Sequence, residues 1–329
     1  MRILIVYKGI IPKYLYGGIE RVIWSLGKEL TKLGHQVTYL VKNGSHCDFA
    51  DVVLIDESKS IIEQIPNNID IAHFNFEPEG VERIKIPYII TMHGNSNDLK
   101  KLDKNTVFVS KNHAERYASD CYVYNGLDWD EYTKPDFNLK REYFHFLGKA
   151  AWHLKNVQGA IDIIKSTPNE KLVVMGGKRF NFNMGIRFTF SPRIKFVGMV
   201  GGENKYRLLN ASKGLIFPVR WHEPFGLAII ESLYYGCPVF ATPYGSLQEL
   251  VKPEYGYLSN NRSELAQAIL NAGSYSAKAC YEYARDEFNS KRMAVDYLKK
   301  YDSAMSGKIL NQNNPQLKEI QTEKFLKWE

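Results

Sequence analysis

Residues 221 to 243 read WHEPFGLAIIESLYYGCPVFATP, and this succession of loop, apolar run and short strand decides how the rest of the chain is read. Glu223 precedes Pro224 and lies in a loop. Gly226 opens the run Leu227, Ala228, Ile229 and Ile230, long enough for a buried helix, and Gly236 with Pro238 closes it. The helix start turns free backbone N–H groups and the positive end of the helix dipole toward whatever Glu223 faces, and both attract phosphate. Glu231, about a turn and a half further on, only accepts hydrogen bonds, as from ribose hydroxyls. One motif thus offers contacts for sugar, phosphate and ribose.

Around this motif, strand-like and helix-like runs alternate. Strands are predicted at Lys171 to Met175, Ile194 to Val197, Gly214 to Phe217 and Pro238 to Ala241. Helices are predicted near Asn156 to Lys165, Glu203 to Asn210 and Gly226 to Tyr235. The N-terminal half repeats the syntax, with Ile3 to Tyr7, a helix from Gly18 to Leu33 and a second strand Gln36 to Val41. That helix carries Ile19, Val22, Ile23, Leu26, Leu30 and Leu33 at three-to-four spacing and ends at Gly34. Further strands are expected at Val52 to Ile55, Ile69 to Phe76, Tyr88 to Met92, Thr106 to Val109 and Tyr122 to Tyr124. The polar stretch Asp128 to Arg141 breaks the pattern and reads as a linker before Tyr143 to Leu147. The fold class is α/β: two Rossmann-like domains facing across a cleft, with ligand at the carboxyl ends of the strands. The expected division is 1–135, 136–288 and C-terminal helices over 289–329, crossing back toward the first domain.

At 329 residues, 44% hydrophobic and 24% charged, the chain is an ordinary globular protein long enough for two cores. No apolar stretch reaches the roughly 18 to 20 residues that span a bilayer, and MRILIVYKG reads as a buried first strand rather than a secretory signal. The four cysteines, Cys47, Cys121, Cys237 and Cys280, are scattered without a CxxC pair, which argues against a disulfide framework or thiolate metal site and for a reducing cytoplasm. Charge is uneven: residues 1 to 138 carry 16 Lys/Arg against 19 Asp/Glu, and the remainder 27 against 17, so the anion-binding half is expected to be the second. No reader motif for nucleic acid is present.

Five stretches in order resemble the retaining glycosyltransferases of the GT-B fold, family four: GGIERVIWSLGKELTKLGHQV, VYNGLDWDEY, FLGKAAWHLKN, FVGMVGGENKYRLLNAS and the EPFG motif followed by Glu231. The resemblance implies transfer of a sugar from a nucleotide diphosphate sugar, UDP- or GDP-linked, to a glycan or lipid-linked hydroxyl acceptor. It further implies no cofactor, no obligatory metal, and a place in bacterial polysaccharide or glycoconjugate biosynthesis. Location would be cytoplasmic, with at most peripheral contact at the inner face of the membrane.

By the same resemblance Lys149 and Lys155 grip the diphosphate, Lys149 standing where the family more often has Arg, a bidentate fork that Lys lacks. Gly17 and Gly18 form the loop that closes on the diphosphate, and His93, in TMHGN, orients sugar hydroxyls. Glu223 faces the sugar, Phe225, Gly226 and Leu227 present backbone N–H groups, and Glu231 takes the ribose. Gly176, Gly198, Met199 and Val200 border the base. Asp128-Trp129-Asp130 is formally a DxD sequence, but its place after an Asn-Gly-Leu turn argues against metal binding. Retention without an evident carboxylate nucleophile implies front-face displacement, in which the leaving diphosphate helps deprotonate the acceptor. Sugar-nucleotide epimerases and phosphorylases share this architecture, and a non-catalytic sugar-nucleotide-binding protein is the remaining alternative.

Overall fold

The computed structural model describes residues 1–13, 17–181 and 187–329. They divide into two compact units, Met1–Trp129 with Phe288–Gln321 and Asp130–Glu287 with Thr322–Glu329. The first begins with β1 (Arg2–Tyr7), α1 (Gly18–Lys32) and β2 (Gln36–Val41), followed by β3 (Asp51–Leu54), β4 (Ile71–Phe74), β5 (Tyr88–Met92), β6 (Thr106–Phe108) and α2 (Lys111–Arg116). All pairings are parallel, in the order β3, β2, β1, β4, β5, β6. Parallel strands covered on both faces need near-continuous apolar runs, and Ile3 to Val6 and Ile71 to Phe74 are fully buried. α1 closes the first crossover through Val22, Ile23, Leu26 and Leu30.

The second unit contains β7 (Tyr143–Leu147), α3 (Val157–Lys165), β8 (Leu172–Met175), the antiparallel pair β9 (Phe180–Asn181) and β10 (Arg187–Phe188), and β11 (Ile194–Phe196). It continues with α4 (Gly202–Asn210), β12 (Ser212–Phe217), α5 (Leu227–Tyr234), β13 (Val239–Ala241), α6 (Leu247–Leu250), β14 (Gly256–Leu258), α7 (Arg262–Leu270) and α8 (Ala277–Glu287). Its parallel sheet runs β11, β8, β7, β12, β13, β14, the same winding as the first. In each sheet the chain reverses direction once, between β1 and β4 and between β7 and β12, leaving a crevice at the carboxyl ends of those strands.

Several expectations change. Tyr122 to Tyr124 is no strand but a single bridge, Phe108 to Tyr122. Pro238 stays outside β13 because it has no N–H for the ladder, although its carbonyl accepts from Leu215 N at 2.9 Å. Of 289–329, expected to be helical, only α9 (Ser290–Met305) is; Gly307 at φ 75° follows its end. In the first unit α9 seats two buried tyrosines on the sheet: Tyr301 Oη lies 2.8 Å from His73 Nδ1, and Tyr297 Oη 2.9 Å from Thr91 Oγ1. Leu317 then packs beside Phe108, Ala114 and Tyr117.

Candidate functional site

The crevice between β7 and β12 holds the first buried ion pair of the second unit. After β7 the chain passes Gly148 and the exposed Lys149, makes a 3-10 turn at His153–Lys155 and reaches Asn156 in the left-handed region, φ 53°. Asn156 caps α3 by accepting from Gly159 N at 3.0 Å, and its Nδ2 donates to Pro218 O at 2.9 Å, tying this loop to the one after β12. Lys155 Nζ then donates to Glu223 Oε2 at 2.6 Å, and Trp221 Nε1 donates to the same oxygen at 2.8 Å. The ammonium lies 4.9 Å from the Trp221 ring centre and 5.2 Å from that of Phe217. Lys149 Nζ sits at the edge of this group, 6.0 Å from the Trp152 ring centre.

Glu223 is held from behind as well. Ser246 N donates to its carbonyl at 2.9 Å and Ser246 Oγ to the carbonyl of Phe225 at 2.5 Å. Gly226 adopts φ 95°, and a Cβ there would stand 2.9 Å from Ile229 Cδ1, so both backbone and space favour glycine. No side chain caps α5 at Gly226, nor α1 at Gly17 or α4 at Gly201, whereas Ser110, Asn156, Asn261 and Asn289 cap α2, α3, α7 and α9. Phe225 is buried and Leu227 half-buried, so the N–H groups at this end belong to a rigid, apolar-backed turn.

Deeper in α5, Glu231 is 1% exposed and forms a second ion pair with Lys205 of α4. Tyr132 Oη donates to the same Glu231 oxygen, Oε1, at 2.9 Å, and Lys205 Nζ lies 5.5 Å from the ring centres of both Tyr132 and Tyr206. At the next residue, Ser232 Oγ lies 2.8 Å from His145 Nε2, whose other nitrogen is 2.7 Å from Ser212 Oγ. Burial drives the His145 pKa down to about 3, so the ring is neutral and bridges α5 to β7 and β12 without adding charge. Two compensated lysine–glutamate pairs therefore bracket the start of α5.

Gly176 and Gly198 meet at the carboxyl ends of neighbouring strands. Gly176 N donates to Gly198 O at 2.6 Å, and a Cβ on Gly176 would fall 2.0 Å from Gly148 O, so no side chain fits. Met199 is 40% exposed and Val200 half-buried beside them.

His93 and the Gly17–Gly18 turn belong to the first unit. There β1, β4 and β5 are neighbours, and Asn75, just past β4, anchors to Val6 O through its backbone N at 3.0 Å and Nδ2 at 3.2 Å. Its Oδ1 consequently faces His93 Nε2 at 2.8 Å, which makes Nε2 the protonated nitrogen and Nδ1 the acceptor. Burial lowers the His93 pKa to about 4, leaving the ring neutral near pH 7. The following turn is gripped by α2: His113 Nε2 lies 3.1 Å from Gly94 O, and Arg116 donates to Asn95 Oδ1 at 2.7 Å. Gly17 is extended at φ 179°, and its carbonyl accepts from Arg21 Nε at 3.0 Å. Asp128 is buried and engaged by Lys28 at 2.9 Å.

Lys205, Tyr132 and Trp221 were not singled out from the sequence. Lys205 had a signal: it shares a buried stripe with Leu209 four residues on, where lysine is out of place unless paired. Tyr132 had none, standing 99 positions from the glutamate it touches.

Residues 128–286 match the family model Glycosyl transferases group 1. An uncharacterized glycosyltransferase of Methanocaldococcus jannaschii is 28% identical over a match spanning 40% of this chain and 38% of that relative, well under two thirds of its length. Among solved structures, AviGT4, a glycosyltransferase involved in avilamycin A biosynthesis, superposes with TM-score 0.73 at 19% identity, covering 93% of this chain and 98% of that one. Anabaena HepE in complex with UDP-glucose superposes with TM-score 0.66 at 16% identity, covering 92% and 100%. At such identities the structural likeness shows the fold, the GT-B arrangement of two Rossmann-like sheets.

Proposed function

We propose that this chain, whose residues 128–286 match the model of the glycosyl transferases of group 1, moves a sugar from a nucleotide diphosphate sugar to a hydroxyl acceptor with retention of configuration. The observation that carries this reading is the Lys155–Glu223 bond across the β7–β12 crevice, beside a helix start with no side-chain cap. An anion arriving there meets a lysine already desolvated and oriented, so little reorganisation is needed. As the bond from C1 to the diphosphate oxygen breaks, charge grows on the leaving group and falls to Lys155, Lys149 and the N–H groups of Phe225, Gly226 and Leu227. The acceptor oxygen bonds C1 on the same face and its proton passes to a phosphate oxygen, so no metal or cofactor enters the step.

Glu223, fixed by two donors on one oxygen, receives sugar hydroxyls rather than attacking C1. Glu231, fixed by Lys205 and Tyr132, receives the ribose, while Gly176, Gly198, Met199 and Val200 border the base. Neutral His93 offers Nδ1 to a hydroxyl of the substrate and is no strong acid or base. Gly17 and Gly18, with no side chains, offer open backbone to an anion. UDP-glucose is the ligand of HepE and the first donor to try, with GDP-sugars next.

Release of nucleoside diphosphate from these donors, with and without trial acceptors, tests the reading. Glu223→Gln and Lys155→Met should each cut turnover by roughly a hundredfold or more, and Glu231→Ala should raise donor KM more than it lowers kcat. Near-normal kinetics in all three would remove the site. Conversion of the donor to another nucleotide sugar, without diphosphate release, would point to an epimerase instead.

A further inference from the structure

The crossover from β8 to β11 carries the antiparallel pair β9 and β10, which the donor site does not use. Phe180 of β9, Phe188 of β10 and Phe190 just beyond are 46%, 50% and 79% exposed. Their rings nevertheless gather into one patch, with centres 5.8 Å apart for Phe180–Phe188, 5.9 Å for Phe180–Phe190 and 6.5 Å for Phe188–Phe190. Three adjoining phenylalanines turned to solvent are costly in water, since burying each would gain free energy, so they mark a contact surface.

The charge around the patch narrows what that contact is. From residue 171 to 202 the sequence has Lys171, Lys178, Arg179, Arg187, Arg193 and Lys195 and not one Asp or Glu. Lys171, Lys178 and Lys195 are exposed. Arg179 and Arg193 do structural work, fastening the base of the ribbon. Arg179 donates to Thr189 O at 2.8 Å, Ser191 O at 3.2 Å and Ile194 O at 2.6 Å, and Arg193 to Thr167 O at 2.7 Å. The phenylalanines therefore stand on a base fastened by arginines, within a stretch of sequence that is basic throughout. Aromatic side chains that enter the acyl boundary, with ammonium groups at headgroup height, are the chemistry of an interfacial membrane contact with anionic lipid.

We propose that the β9–β10 ribbon docks this protein on a bilayer surface containing anionic lipid, Phe180, Phe188 and Phe190 inserting and Lys178 and Lys195 meeting the phosphates. No helix among the described residues is long and apolar enough to cross a membrane. This docking does not depend on the sugar-transfer reading, because it is measured without donor.

The test is cosedimentation of the whole chain with vesicles of phosphatidylcholine alone and of equal parts phosphatidylcholine and phosphatidylglycerol, with solution mass measured by light scattering. Binding should require phosphatidylglycerol and weaken as salt is raised. Replacing all three phenylalanines by serine should lower partition on the order of a hundredfold. The paired change Lys178→Glu and Lys195→Glu, on exposed side chains and with the Tm measured alongside, should lower it roughly thirtyfold or more. Equal binding to both vesicles, no binding, or full binding by either variant would overturn the proposal. A solution dimer that the serine variant converts to monomer would also overturn it, assigning the patch to a second copy of the chain.

Discussion

At the scale of single residues, the two buried lysine–glutamate pairs govern both stability and chemistry. Lys155 and Glu223 are 8% and 7% exposed, so removing one charge strands the other. Lys155→Met should therefore cost about 3–5 kcal/mol, read as a lower urea midpoint, and adding Glu223→Gln should recover much of that loss. Equal instability of the single and double variants would mean the pair is not coupled. Gly226→Ala meets a backbone at φ 95° and should cost about 1–3 kcal/mol even if Ile229 yields, visible as a lower Tm. Glu223, Lys155 and Glu231 were legible because loop, glycine and apolar run stand next to one another in the chain. Lys205 lies 26 positions before its partner, on a different helix, and only the tertiary fold brings the two side chains together.

At the scale of elements, periodicity located most strands and helices to within a residue or two, β2, β5 and β7 at their observed ends. It missed the β9–β10 ribbon, although phenylalanine at alternate positions in RFNF and RFTF is a strand signal, because each strand has only two residues. It also read the tail as helix. Thr322–Glu329 instead packs as irregular chain on the second unit: Leu326 N donates to Arg220 O at 2.9 Å, Arg220 Nε returns to Leu326 O at 2.8 Å, and Tyr244 Oη donates to Lys327 O at 2.7 Å. Arg220 adjoins Trp221, which bonds Glu223, so the tail braces that loop. Deleting residues 322–329 should remove about 2–4 kcal/mol of stability and lower kcat. An unchanged Tm would show the tail to be an ornament of the fold.

At the scale of the molecule, two sheets of the same winding each rest on buried neutral histidines. Desolvation lowers His73, His113 and His145 to about 3, against an unfolded value near 6.5. A depressed histidine contributes stability that is complete above the unfolded value and is lost as pH falls toward the folded one. Each should steepen acid destabilisation by about 1.4 kcal/mol per pH unit between those limits. The urea midpoint should accordingly drop markedly from pH 7 to pH 5, and His145→Gln, which keeps hydrogen bonding to Ser212 and Ser232, should flatten the drop. A midpoint independent of pH in that window would contradict it. Alternating strands and helices made two Rossmann-like sheets legible in the sequence. The charge of the second half was legible as well, but not its concentration around the ribbon, because surface lysines carry no periodic signal.

The central claim is that a nucleotide diphosphate sugar binds between Lys155 and the start of α5. Thermal unfolding of wild type and Lys155→Ala, each with UDP-, GDP-, ADP- and dTDP-sugars, tests it most directly. At about 100 times its dissociation constant the right donor should add roughly 2.7 kcal/mol, a rise of several degrees in Tm, to the wild type and little to the variant. No shift with any donor, or the same shift in both proteins, would contradict the claim.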